Sequence, residues 1–115
     1  MKKINLAITG CLGRMGQHLI KSSKNKKDFK IVALTESRII RKKISGLKLE
    51  LNNVNAFKKA NVIVDFTVPK CTLQVLKIAS KLKKRVVIGT TGFSKKEESL
   101  IKNYSKKIPI LKAGN

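Results

Sequence analysis

Glycines at positions 10, 13 and 16, directly after the apolar run Ile4-Asn5-Leu6-Ala7-Ile8, restrict this chain more than any other feature. Glycine at every third position after a strand-like run marks a strand-to-helix turn. Without a Cβ, Gly10 can make the tight turn and Gly13 can let the backbone approach an anion closely. The helix that begins there aims free N–H groups and the positive end of its dipole at one point, so a pyrophosphate can be held without a cationic side chain. A glycine triplet by itself also fits a close-packed turn with no ligand. The residues that follow decide between the two.

A second apolar run, Lys30-Ile31-Val32-Ala33-Leu34-Thr35, ends at Glu36. In a βαβ dinucleotide-binding unit an acidic residue roughly 20 residues beyond the glycines accepts hydrogen bonds from the adenosine ribose hydroxyls. Glu36 fits that role. Two residues on, Arg38 can pair with a 2′-phosphate that the carboxylate alone would repel, so the pair predicts tolerance of both NADH and NADPH. The plainer alternative is an acid and a base on a surface loop.

The chain of 115 residues makes one domain, 1–115, with 42% hydrophobic and 29% charged residues, an ordinary globular composition. It is small for a complete dehydrogenase, which carries a second domain for substrate. No apolar stretch reaches the ~20 residues of a membrane helix. Met1-Lys2-Lys3 leads straight into a strand rather than a secretory signal, so a cytoplasmic location is expected. Cys11, Cys71 and a single histidine, His18, offer neither a metal site nor a disulfide framework, and His18 is expected to face solvent or a groove. The net charge of +21 invites a nucleic-acid reading, but the lysines are spread over every helix and loop and aromatic residues make up only 4%. No nucleic acid and no membrane partner is therefore expected. Such a surface still attracts anionic ligands.

Periodicity predicts strands at 3–9, 30–35, 60–66, 85–88 and 108–111. A helix over 13–23 places Met15, Leu19 and Ile20 on one face. The third strand is β-branched and predicted to be buried on both faces. Pro69 suits the first turn of a helix carrying Leu73, Leu76, Ile78 and Leu82, which ends in the basic stretch Lys81-Leu82-Lys83-Lys84. Ser94 and Glu97 form a capping box for a last helix with Leu100 and Ile101 on its apolar side. Residues 37–55 alternate basic and apolar side chains; a short helix or a weak extra strand fits, and the segment is expected to be mobile. The alternation of strand and helix predicts an α/β, Rossmann-like, doubly wound, mostly parallel sheet covered on both faces, with its strands in the order second, first, third, fourth, fifth. The glycine loop, Glu36, Asp65-Phe66-Thr67, Gly89-Thr90-Thr91-Gly92 and Ala113-Gly114-Asn115 then all converge at the carboxyl ends of the strands, where such sheets bind ligands.

Together these segments resemble the dihydrodipicolinate reductase family, also called 4-hydroxy-tetrahydrodipicolinate reductase. The resemblance rests on Ile8-Thr9-Gly10-Cys11-Leu12-Gly13-Arg14-Met15-Gly16, Thr35-Glu36-Ser37-Arg38, Asp65-Phe66-Thr67-Val68-Pro69, Val87-Ile88-Gly89-Thr90-Thr91-Gly92-Phe93 and Ile108-Pro109-Ile110-Leu111-Lys112-Ala113-Gly114-Asn115. It spans nearly the whole chain and is more specific than a general glycine fingerprint. The resemblance implies NAD(P)H-dependent reduction of a cyclic dicarboxylate on the way to diaminopimelate and lysine. It implies that Gly10, Cys11, Leu12, Gly13, Arg14 and Met15 hold the pyrophosphate, Glu36 the ribose and Arg38 the NADPH phosphate. Gly89, Thr90 and Thr91 would line the nicotinamide end, with Thr91 close to the substrate carboxylates, and Ala113, Gly114 and Asn115 would begin the strip leading toward substrate.

Two departures qualify the resemblance. Family members continue into a second domain whose His-His motif and lysine supply the proton and bind the dicarboxylate, and which builds most of their homotetramer. A general acid must lie within ~3 Å of the reacting atom, so no catalytic residue is assigned in this chain, which is expected to bind cofactor without turnover. Ser37 separates Glu36 from Arg38, where relatives can place arginine directly after the acid, and this leaves the choice between NADH and NADPH open. The alternatives are the first domain of another oxidoreductase, such as one acting on aspartate or homoserine, and a basic nucleotide- or nucleic-acid-binding module.

Overall fold

The computed structural model describes residues 3–113. The elements are β1 (Ile4–Thr9), α1 (Arg14–Ser23), β2 (Phe29–Glu36), β3 (Lys43–Ile44), β4 (Leu47–Leu51), α2 (Val54–Phe57), β5 (Val62–Asp65), α3 (Pro69–Leu82), β6 (Arg85–Ile88), α4 (Lys95–Tyr104) and β7 (Ile110–Lys112). They build a seven-stranded sheet in the order β3-β4-β2-β1-β5-β6-β7. Every pairing is parallel except β3 with β4. The strands foreseen from periodicity thus lie in the foreseen spatial order, as the alternation with right-handed crossovers requires.

Residues 37–55 hold the first difference. They form the antiparallel β3–β4 hairpin, turned at Ser45 and Gly46 with φ of 52° and 81°, followed by the short α2. β4 then runs parallel to β2, pairing Leu34 with Leu49 and Glu36 with Leu51, and widens the sheet at that edge. The alternation of basic and apolar residues is the period-two signature of a half-buried outer strand: Leu47 and Leu49 pack inward and Lys48 points out. At the other edge β7 starts after Pro109 rather than before it. Pro109 has no N–H to give, and its carbonyl accepts from Val86 N–H at 3.1 Å.

The two faces of the sheet differ. One carries Ala7, Ala33, Ile63, Val86 and Ile88 beneath Phe57, Val75, Leu76, Ala79 and Ile101 from α2, α3 and α4, and this is the main core. On the opposite face Ile8 and Leu34 pack with Cys11 and Ile20. The expectation of cover on both faces is met only in part. Leu6, Val62, Val64, Phe66 and Val87 line an open apolar groove of about 490 Å³ beside α1. Among the described residues α3 and α4 pack together on the main-core face, and α1 is the helix on the other.

Helix faces also shift from the simple pattern. Met15 is 48% exposed, and the buried stripe of α1 runs through Gly16 and Ile20. In α3 the buried stripe is Cys71, Thr72, Val75, Leu76 and Ala79, with Leu73, Ile78 and Leu82 half-buried around it. Leu100 is exposed while Ile101 is buried in α4. Helix termini follow the sequence more closely. Pro69 opens α3, Lys83 closes it in the left-handed region, and the Ser94–Glu97 capping box is formed at both of its hydrogen bonds.

Candidate functional site

The three loop glycines do three different things. Gly10 has φ +64°, and a Cβ there would lie 2.6 Å from the Phe66 carbonyl oxygen, so it turns the chain against the end of β5. A Cβ on Gly16 would lie 2.4 Å from the Gly10 carbonyl oxygen; its bare Cα lets α1 sit directly on the loop. Gly13 is the exposed one of the three, and a Cβ on it would meet a single atom, the Gly10 carbonyl oxygen, at a tight 3.3 Å.

Backbone donors sort in the same way. Cys11 N–H donates to the Thr35 carbonyl at 3.3 Å and Gly13 N–H to the Gly10 carbonyl at 3.0 Å. Leu12 N–H donates to Glu36 Oε2 at 2.8 Å. These amides are spent inside the protein. No side chain caps α1, and the amides of Arg14, Met15 and Gly16 meet no acceptor among the described residues. The donors free for an anion therefore lie in the first turn of the helix rather than at Cys11 and Leu12. Glu36, the last residue of β2, keeps Oε1 for another donor.

Two adjoining hollows run across the carboxyl ends of β1, β2, β5 and β6. One, of about 350 Å³, reaches from Gly10, Glu36 and Ser37 to Cys71. The other, of about 320 Å³, reaches from Gly13, Arg14 and Met15 to Gly89, Thr90 and Thr91. They share Gly13, Phe66, Thr67 and Val68, which makes one cleft bent around the helix start. This is the point where the winding reverses between β1 and β5. Of the residues assigned from sequence, Gly10, Gly13, Arg14, Met15, Glu36, Gly89, Thr90 and Thr91 line this cleft. Cys11 is buried behind the loop, Leu12 turns its side chain toward the α1-side core, and Arg38 is exposed beyond Ser37. Ala113 is exposed after β7, its N–H bound to the Ile88 carbonyl at 2.7 Å. Gly114 and Asn115 lie outside the described residues. Ser37, Val68, Pro69 and Cys71 line the cleft without having been assigned there. The one signal in the sequence was an apolar Val68 just before a proline that opens a helix; in the fold it is 61% exposed.

The far end of the cleft is built on Asp65, whose side chain is fully buried. Its Oδ1 accepts from Thr9 Oγ1 at 2.5 Å and from Thr67 Oγ1 at 2.9 Å. Its Oδ2 accepts from Thr72 Oγ1 and, at 3.1 Å, from Thr90 Oγ1. Thr90 Oγ1 in turn accepts from Thr67 N–H at 2.8 Å. Gly89 N–H donates to the Asp65 carbonyl at 2.8 Å, and a Cβ on Gly89 would fall 1.8 Å from the Phe66 ring, so ring and strip lie in contact.

Both thiols are held protonated. Burial first and the nearby Glu36 second push Cys11 from the ordinary 9.0 up to about 11, and burial raises Cys71 as well. At pH 8 roughly one Cys11 thiol in a thousand is ionised, so labelling of both cysteines by a thiol reagent should be slow in the folded protein and fast in denaturant; rapid native labelling would contradict this packing. The folded thiol holds its proton more tightly than an unfolded one. The corresponding stability is whole below about pH 9 and is lost as pH climbs toward about 11. Among the described residues no group of three or more His, Cys, Asp or Glu side chains is placed to hold a metal, and no helix is long and apolar enough to cross a membrane.

Comparison with known proteins agrees with this fold. The 4-hydroxy-tetrahydrodipicolinate reductase of Pelagibacter ubique is 74% identical over 115 residues, which are all of this chain and 45% of that reductase. The chain thus spans about half the length of the curated relatives it matches. Among solved structures, the dipicolinate-bound dihydrodipicolinate reductase from Paenisporosarcina sp. TG-14 superposes with a TM-score of 0.72 at 23% identity, covering 90% of this chain and 43% of that one. Homoserine dehydrogenase from S. aureus superposes with a TM-score of 0.78 at 21% identity, covering 100% of this chain and 33% of that one, a likeness of fold. The family described as "Dihydrodipicolinate reductase, N-terminus" matches residues 4–115, and the chain belongs to that family.

Proposed function

We propose that the cleft binds NADH or NADPH and presents it for hydride transfer to the cyclic dicarboxylate precursor of tetrahydrodipicolinate, a step toward diaminopimelate and lysine. One observation carries the reading: a single cleft links Glu36 to Thr91 and passes over an uncapped helix start, which matches the order of ribose, pyrophosphate and nicotinamide along a dinucleotide. The amides of Arg14, Met15 and Gly16 receive the pyrophosphate, and Gly13 gives it room. Glu36 Oε1 accepts from the adenosine ribose, while Oε2 holds the loop through Leu12. Phe66, Gly89, Thr90 and Thr91 receive the nicotinamide end. When bound, the nucleotide supplies the hydride. The substrate is a small molecule, in keeping with the dipicolinate named for the solved relative, and the reduction is that of relatives of which this chain covers 45%. No residue of this chain is assigned as its proton donor.

Titration with NADH and NADPH at modest salt tests the reading directly. Saturable enhancement of the nucleotide fluorescence supports it; tight DNA binding with no response to either nucleotide overturns it. The ribose end has its own test. Glu36→Ala should weaken NADH about ten-fold and NADPH less, because the lost carboxylate bonds the 2′-hydroxyl but repels a 2′-phosphate. Arg38→Ala should do the reverse. Some loss common to both nucleotides follows from freeing Leu12 N–H, so the ratio is the informative quantity. An unchanged ratio in both variants would remove the assignment.

A further inference from the structure

We propose that Asp65 is a positioning residue for the nicotinamide end of the cleft: through Thr72 and Thr90 it holds residues 89–91 in the shape that receives the ring, independently of the grip on the adenosine end. The inference rests on the nucleotide reading above and adds a residue that touches no ligand.

The argument starts from satisfaction of hydrogen bonds. An ionised carboxylate only accepts, and it offers about four lone-pair sites. Asp65 meets four hydroxyl donors, from Thr9, Thr67, Thr72 and Thr90. Supply and demand match when each hydroxyl donates to Asp65, and Thr72 Oγ1 also lies 3.0 Å from Thr90 Oγ1, so the two threonines are in direct contact. With Thr90 donating to Asp65, its lone pair is available to Thr67 N–H. The four donors come from four segments: the end of β1, the loop after β5, the first turn of α3 and the loop after β6. One carboxylate therefore ties together the pieces that frame this end of the cleft.

The cost of this arrangement sets it apart from ordinary packing. The sequence has 27 basic and 6 acidic residues, yet this fully buried acid has no cationic partner within ion-pair distance among the described residues. Burying a carboxylate on neutral hydroxyls is expensive, and apolar side chains would fill the same space at lower cost. What they would not do is specify one orientation for the strip after β6. Asp65 fixes that strip twice, by its side chain at Thr90 and by its main-chain carbonyl at Gly89 N–H. The Phe66 ring then lies on the bare Gly89 Cα and sets the depth of the cleft.

Thr72 provides the clean probe, because it is fully buried and does not line the cleft. Affinities of the chain for NADH and for ADP-ribose, which lacks the nicotinamide ring, are compared in Thr72→Val, Thr72→Ser and Asp65→Asn. Thr72→Val should weaken NADH about ten-fold and leave ADP-ribose within about two-fold. Thr72→Ser keeps the hydroxyl and should restore NADH binding. Asp65→Asn, which also loosens Thr9 and Thr67 beside the glycine loop, should weaken both ligands but NADH by clearly more than ADP-ribose, and decides the matter if the valine variant does not fold. Equal losses for the two ligands, or no loss for either, would overturn the proposal. Failure of the unmodified chain to bind ADP-ribose would instead overturn the nucleotide reading beneath it.

Discussion

Gly16→Ala is expected to lower folding stability by about 3 kcal/mol, and the melting temperature by roughly 10 °C. Helix propensity alone gives the opposite sign, since alanine in a helix interior is favoured over glycine by about 0.5–1 kcal/mol. Packing decides the outcome. A Cβ on Gly16 would lie 2.4 Å from the Gly10 carbonyl oxygen and 2.7 Å from the Cys11 Cα. These are backbone atoms, so no side chain can rotate away. Nor can the loop retreat, because Gly10 is itself turned at φ +64° against the Phe66 carbonyl. The remaining escape is to lift α1 from the sheet and expose Ile20, which is 5% exposed in the fold. Thermal unfolding of the variant beside the parent measures the effect. A melting temperature equal to or above that of the parent would show that the loop and helix are not packed as described.

Gly13→Asp should separate binding from stability. Position 13 is the N-cap of α1, with extended dihedrals and no side-chain cap. Aspartate is among the preferred residues there, accepting from the amides two or three positions on. The Gly10 carbonyl oxygen, 3.3 Å from the new Cβ, must yield by a few tenths of an ångström, which offsets the gain from the cap and leaves the melting temperature close to that of the parent. The same carboxylate would occupy the donors of Met15 and Gly16 and place a negative charge at the seat assigned to the pyrophosphate. Affinity for NADH and NADPH should fall about 100-fold or more, for lost charge-assisted hydrogen bonds and like-charge repulsion together. Nucleotide titration alongside thermal unfolding reads both quantities. Retained affinity would move the pyrophosphate elsewhere, and with it the whole orientation of the cofactor.

The legible and illegible parts of this chain divide by the range of the interactions involved. The glycine loop, Pro69 at the start of α3 and the Ser94–Glu97 box at the start of α4 are local, and each was readable from a few neighbouring residues. Sheet order followed from the succession of elements, because crossover handedness leaves few choices. The hairpin in residues 37–55 was not readable. Its strands are short and heavily charged, and β4 exists because β2 offers it an edge. Exposure of Met15 and Leu100 was equally hidden, since a periodic stripe does not say which of its flanks the neighbouring elements cover.

By itself the sequence determined a parallel α/β sheet with a glycine turn after its first strand and an acid at the tip of the second strand. Those features depend on backbone freedom and periodicity, which act between residues close along the chain. Only the tertiary structure decided which amides remain free, that Glu36 braces the loop while facing the cleft, and that four threonines close around Asp65. Each of these depends on where distant segments meet, and a buried hydrogen bond is set by the position of both its partners.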